Sequence, residues 1–144
     1  MYFRDILARP SRLAHVVPYP QFALDLAANR LPSFSLVVPN LCNDAHSCPL
    51  TTADRWLRLN IVPILGSKAL RGGVVFVVFD EGSSSAGGGG HVLGMALGPL
   101  VRRGAVDKQA LTHYGLLRTI EGAWGLPRLG LSRQAAPIIG IWRR

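Results

Sequence analysis

Acidic residues are scarce in this chain. Eight Asp and Glu stand against sixteen Lys and Arg in 144 residues, a net charge of +8. A field of that sign disfavours cationic partners and favours anionic ones: phosphate esters, lipid headgroups or nucleic acid. The arginines are scattered from Arg4 to Arg133, with Arg143 and Arg144 as a short basic tail. No cationic stripe with interleaved aromatics is present, so specific nucleic-acid binding is not expected. Cysteine is almost as scarce, with only Cys42 and Cys48, and their spacing excludes a CxxC redox or zinc pattern. Six positions apart in a Pro/Asn-rich loop, they can close a small disulfide in an oxidising compartment. Zinc is the less favoured alternative, because only His46 lies between them and the other ligands would have to be distant. Long apolar runs are lacking too, and none approaches the length of a transmembrane helix. The first residues, Met1-Tyr2-Phe3-Arg4-Asp5, lack the basic and apolar regions of a signal peptide. The cysteine pair thus points to export and the N-terminus does not. With 49% hydrophobic and 17% charged residues the chain is not a disordered one, and its length fits one domain or part of one.

What is present centres on the run Gly73-Val74-Val75-Phe76-Val77-Val78-Phe79, which leads directly into Asp80-Glu81. The run is β-branched and aromatic, with no polar face. It reads as a central strand buried on both sides, as in a parallel sheet. A Gly/Ser-rich stretch over residues 82–90 follows and returns to His91-Val92. This stretch is not a phosphate-cradling P-loop, since no Gly-Lys-Ser/Thr follows it. In open α/β folds, chemistry gathers where such strands end. Two acids there, with a loop returning a histidine, suit a metal or phosphate-ester site. The alternative is an acidic strand end before a solvent loop.

Elsewhere strands and helices alternate. Residues 1–8 read as the tail of a helix, and Pro10, Pro18 and Pro20 as an extended connector. An amphipathic helix is expected over 21–29 and a strand over 34–38, closed by Pro39-Asn40. A further helix, capped by Thr51 or Thr52 and interrupted at Pro63, carries Trp56, Leu57, Ile61 and Leu65 to Gly66. A Gly-interrupted strand over 92–97 and a helix capped by Thr112 and stopped by Gly125 complete the pattern. The fold class is α/β. Three strands are fewer than a doubly wound sheet normally has, so the chain is expected to be the C-terminal part of a larger α/β domain.

Three loops carry the candidate chemistry: Asp44 and His46 after the first strand, Asp80, Glu81 and His91 around the second, and His113 at a helix start. Carboxylate oxygens suit hard divalent ions. Histidines beside them can ligate, protonate a leaving oxygen or hold a phosphoryl oxygen. The helix start at His113 adds N–H groups that favour an anion. Asp44 and His46 can equally be loop-capping groups, and His113 a capping or packing residue. His15 reads as structural.

Four ordered stretches resemble the bacterial phosphoesterase family that contains phospholipases C and acid phosphatases. Residues 32–46 resemble "P-x-F-S-x-x-x-P-N-x-x-N-D-x-H", and Asp54-Arg55-Trp56-Leu57 resembles "D-x-W-L". Asp80-Glu81-Gly82 with His91-Val92 resembles "D-E-x-x-G…H-V". Residues 112–121 resemble "T-H-Y-S-L-L-R-T-I-E". The resemblance implies an alkaline-phosphatase-like three-layer α/β/α domain with a mainly parallel sheet, hydrolysing phosphate esters with a divalent metal ion. The substrate would be a phospholipid or a small phosphomonoester. Asp80 and Glu81 fall at the family's acidic metal-ligand pair, His91 and His113 at its site histidines, and Asp44 and His46 along the same pocket. The family's "E-N-R-S-F-D" motif and its Ser/Thr nucleophile segment have no counterpart here. No Glu-Asn pair occurs, and Leu93 stands where the family has proline. Residues 1–144 are therefore expected to form a partial domain with an exposed, association-prone sheet edge. The alternative is an inactive remnant that binds anions or a protein partner.

Overall fold

The computed structural model describes residues 3–143. It divides at Gly73 into two units.

The first unit is helical. Helices α1 (Arg4–Leu7) and α2 (Pro10–Leu13) are single turns. Pro10 opens α2 at its first position, where the missing N–H is no loss. The proline segment is therefore not the wholly extended connector its composition suggests. Of the helix tail expected over 1–8, Met1 and Tyr2 lie outside the described residues. Helix α3 (Tyr19–Ala27) begins with Tyr19-Pro20 and ends before Asn29, whose φ of 53° is left-handed and cannot extend a helix. Tyr19 stacks on Phe22 at 5.6 Å and meets Trp56 at 5.5 Å, which docks α3 on α4 (Leu50–Leu65). Pro49, not Thr51 or Thr52, occupies the N-cap of α4. Pro63 falls in its last turn, close to the C-cap Gly66.

The strand expected over 34–38 does not form among the described residues. Leu36 is 78% and Val38 76% exposed. A strand exists only through a neighbour's ladder, and none is on hand in this unit.

The second unit holds the sheet. Strands β1 (Val75–Val78) and β2 (Gly94–Leu97) pair antiparallel, Val75 opposite Leu97 and Val78 opposite Gly94. The Phe79 N–H to Leu93 carbonyl bond, 3.2 Å, carries the pairing one step further. The architecture is mixed α/β with a two-stranded antiparallel sheet, where the sequence led to a mainly parallel one. The cause is the Gly/Ser connection. It holds only a short 3-10 turn at Ala86–Gly88, and a parallel return needs a crossover helix. β1 is half-buried to exposed rather than buried on both faces.

The tail returns beside residues 100–102. Val101 bridges Trp142, the Arg102 N–H bonds the Ile141 carbonyl at 2.8 Å, and the Arg143 N–H bonds the Leu100 carbonyl at 2.9 Å. The indole of Trp142 meets Phe76 edge-on at 6.2 Å, tying the tail to β1. Helix α5 (His113–Ala123) has Thr112 at its N-cap position, without a bond from the Thr112 side chain. It closes in a Schellman turn: Leu126 N–H to Glu121 carbonyl at 2.8 Å, Gly125 N–H to Gly122 carbonyl at 3.3 Å, and Gly125 at φ 62°. A Cβ on Gly115 would lie 2.7 Å from the Ala136 carbonyl oxygen, so helix and tail backbones touch there. The Thr119 hydroxyl donates to the Gly115 carbonyl and accepts the Ile138 N–H, both at 2.8 Å.

Little apolar surface is sealed. Ala53, Ile64, Leu70 and Ile141 form the buried apolar set among the described residues. The accessible area is 11126 Å². Even two separately folded units of half this mass would together expose only about 8,700 Å².

Candidate functional site

The carboxyl end of β1 delivers Asp80 and Glu81 to solvent. Asp80 Oδ1 accepts the Glu81 N–H at 3.0 Å, which fixes the acid's rotamer against its own backbone. His113, the first residue of α5, reaches back to the same strand end, with Nε2 2.7 Å from the Asp80 carbonyl oxygen. A carbonyl only accepts, so Nε2 carries the proton, and a neutral ring then leaves Nδ1 bare.

His91 lies two residues before Leu93, whose carbonyl bonds the Phe79 N–H, and the His91 carbonyl stands beside Gly82. The Gly/Ser loop is folded to permit this. The Gly82 N–H bonds the Gly89 carbonyl at 2.6 Å, and the Gly90 N–H bonds the Ala86 carbonyl at 2.7 Å. A Cβ on Gly82 would lie 2.7 Å from the His91 carbonyl oxygen. One on Gly90, at φ 78°, would lie 2.7 Å from the Ser84 carbonyl oxygen. Glycine is required at both positions for the backbones to close. The structure thus brings Asp80, Glu81, His91 and His113 to one strand end, all of them exposed.

Asp44 and His46 belong to the first unit. Asn40 Oδ1 accepts the N–H groups of Cys42 (3.2 Å) and Asn43 (3.0 Å), and Asp44 Oδ1 accepts the His46 N–H at 2.9 Å. These are Asx-type turns, so the capping role open to Asp44 is filled. His46 Nδ1 lies 3.1 Å from Ser47 Oγ. The expected Cys42–Cys48 disulfide is present and closes the loop, and Ala45 inside it sits at φ 71°, a conformation L residues seldom adopt.

Carboxylates and imidazoles form a donor set suited to a divalent cation. Among the described residues, however, no three His, Cys, Asp or Glu side chains converge as a metal group would. The described residues thus show no complete coordination shell.

Two acids carry more structure than their sequence positions suggest. Asp107 Oδ2 accepts the N–H groups of Gly140 (2.9 Å) and Ile139 (3.1 Å), and Oδ1 accepts that of Gln109 (3.1 Å). These bonds, that of Gly140 foremost, lower its carboxyl from 3.8 to about 2. Glu121 is only 2% exposed and accepts the Leu129 N–H at 2.9 Å and the Ser132 hydroxyl at 2.7 Å, with Ser132 itself fully buried. The signal for Glu121 was its place in the apolar stripe of α5, four residues after Leu117. For Asp107 the only local backbone bond is the Asx-type one from the Gln109 N–H, and its other backbone partners lie 32 and 33 residues away.

The geometry fixes a helix-borne histidine to an acidic strand end, and comparison with known proteins places the chain in a family. It belongs to the phosphoesterase family, whose model matches residues 3–127. It is similar to an acid phosphatase of Aspergillus fumigatus, 29% identical over 96% of this chain and 32% of that protein. It is likewise similar to a phosphatidylinositol-3-phosphatase of Mycobacterium tuberculosis, 29% identical over 88% of this chain and 41% of that protein. A phosphate-repressible acid phosphatase of Penicillium chrysogenum is 29% identical over 88% of this chain and 31% of that protein. The chain spans about a third of the length of these curated relatives. No solved structure matches it.

Proposed function

We propose that the chain is part of the catalytic domain of a hydrolase acting on phosphoric ester bonds, of acid-phosphatase or phospholipase C type. The observation that carries this reading is the His113 Nε2 to Asp80 carbonyl bond, which holds an imidazole at the end of an acid-bearing strand. In this role His113 exchanges a proton at Nδ1 with the leaving or attacking oxygen. His91, on the return of the Gly/Ser loop, holds a phosphoryl oxygen. Asp44 and His46 remain candidate site residues through the family resemblance. Asp80 and Glu81 would supply two ligands of a divalent ion. Such an ion, when bound, polarises the phosphoryl group. The complete domain is the three-layer α/β/α architecture with a mainly parallel sheet, in which residues 34–38 gain strand neighbours. The substrate is a small phosphomonoester or a phospholipid headgroup, as the names of the relatives suggest.

A second reading, an inactive anion-binding remnant, is favoured by the net charge of +8 and the lack of three convergent ligands among the described residues.

The test is hydrolysis of a chromogenic phosphomonoester, a phosphocholine ester and phosphatidylinositol 3-phosphate by the purified chain, with and without divalent cations. Turnover that falls at least about a hundredfold in Asp80→Asn supports the first reading. A folded chain that turns over none of the three esters but binds inorganic phosphate establishes the second.

A further inference from the structure

We propose that residues 124–133 form a docking loop for the surface of an anionic lipid bilayer, separate from the acid-bearing strand end. The segment reads Trp-Gly-Leu-Pro-Arg-Leu-Gly-Leu-Ser-Arg. Its apolar side chains face outward: Trp124 is 48% exposed, Leu126 53%, Leu129 62% and Leu131 55%. Arg128 and Arg133 are interleaved with them, and no acid occurs anywhere after Glu121. Leucines and a tryptophan that enter the headgroup boundary, flanked by arginines that meet lipid phosphate, are the composition of an interfacial binder.

The loop is also built, not merely bare. The buried Glu121 carboxyl grips the Leu129 N–H and the Ser132 hydroxyl from below, and Ser132 Oγ bonds the Leu129 carbonyl at 2.7 Å. Arg133 Nε donates to the Arg128 carbonyl at 3.1 Å across the loop's mouth. Arg118 donates to the Ser132 carbonyl at 3.5 Å and to the Arg133 carbonyl at 3.4 Å. A buried polar anchor thus fixes a turn whose outer face is apolar and cationic. A second copy is a poor occupant, since like charges would face each other, whereas an anionic surface complements every charge in the segment. The loop lies at the far end of α5 from His113, about 15 Å along the helix axis. It therefore stands or falls independently of the hydrolytic reading.

The experiment is flotation of the purified chain with phosphatidylcholine vesicles, with and without phosphatidylserine. Binding to the serine-containing vesicles is expected to exceed binding to neutral ones by roughly tenfold or more. It should fall by a similar factor in Arg128→Glu and in the double variant Leu129→Ser, Leu131→Ser. Neither change removes a bond of the Glu121 anchor, and an unchanged circular dichroism spectrum confirms the fold. Equal binding to both vesicle types, binding retained in both variants, or pelleting of the chain without lipid would each overturn the proposal.

Discussion

The two units treat their acids differently. In the first, Asp5, Asp25 and Asp54 pair with Arg12, Arg30 and Arg58 at 2.6, 3.8 and 3.5 Å, the Asp5 and Asp54 pairs exposed on both sides, while Asp44 bonds backbone inside its own turn. In the second, Asp80, Asp107 and Glu121 bond to backbone N–H groups and a hydroxyl instead. Asp80 takes Glu81, Asp107 takes Ile139 and Gly140, and Glu121 takes Leu129 and Ser132. The arginines there turn to carbonyls: Arg102 to Gly140, Arg118 to Ser132 and Arg133, and Arg143 to Val101. Exposed ion pairs are screened and contribute little. A side chain bonded to backbone far along the sequence fixes a path for the chain. The first unit wears its charge, and the second uses charge to hold its tail.

That contrast is open to test. The largest effect belongs to Glu121→Ala, which strands the Leu129 N–H and the Ser132 hydroxyl. It should cost about 3 kcal/mol in urea unfolding followed by tail-sensitive probes. Replacing Cys42 and Cys48 by serine comes next. A separation of six residues corresponds to about 2 kcal/mol of chain entropy. Amide exchange should quicken in residues 40–48 and stay unchanged in α5. If the second unit also loosens, the two regions are not energetically separate.

The third test is pH. The Asp107 carboxyl is lowered from 3.8 to about 2. Its contribution is therefore complete above the unfolded value near 3.8 and is lost as pH falls through about 2. Protection of the Ile139 and Gly140 amides should decline over that window, and Asp107→Asn should abolish the dependence. The smallest effect is Asp54→Ala, expected below about 0.5 kcal/mol by thermal melting. A loss as large as that of Glu121→Ala would erase the distinction between the units.

The sequence was most legible where the pattern is local. Helix α5 followed from Thr112, the apolar stripe and Gly125, and β1 from its β-branched run. The acid pair at the strand end and the histidine on α5 could be named because strand ends and helix starts are marked in sequence. Pairing direction was not legible from the apolar run, which read as a parallel strand and pairs antiparallel. Residues 34–38 carried a sound strand pattern and still formed no strand, because propensity does not supply a neighbour. The bonds of Asp107 to Ile139 and Gly140 span 32 and 33 residues, which no window of sequence displays.

Residues 34–38 have a consequence for the life of the protein in a cell. A β-prone segment with Leu36 and Val38 bare to water is what chaperones and proteases select.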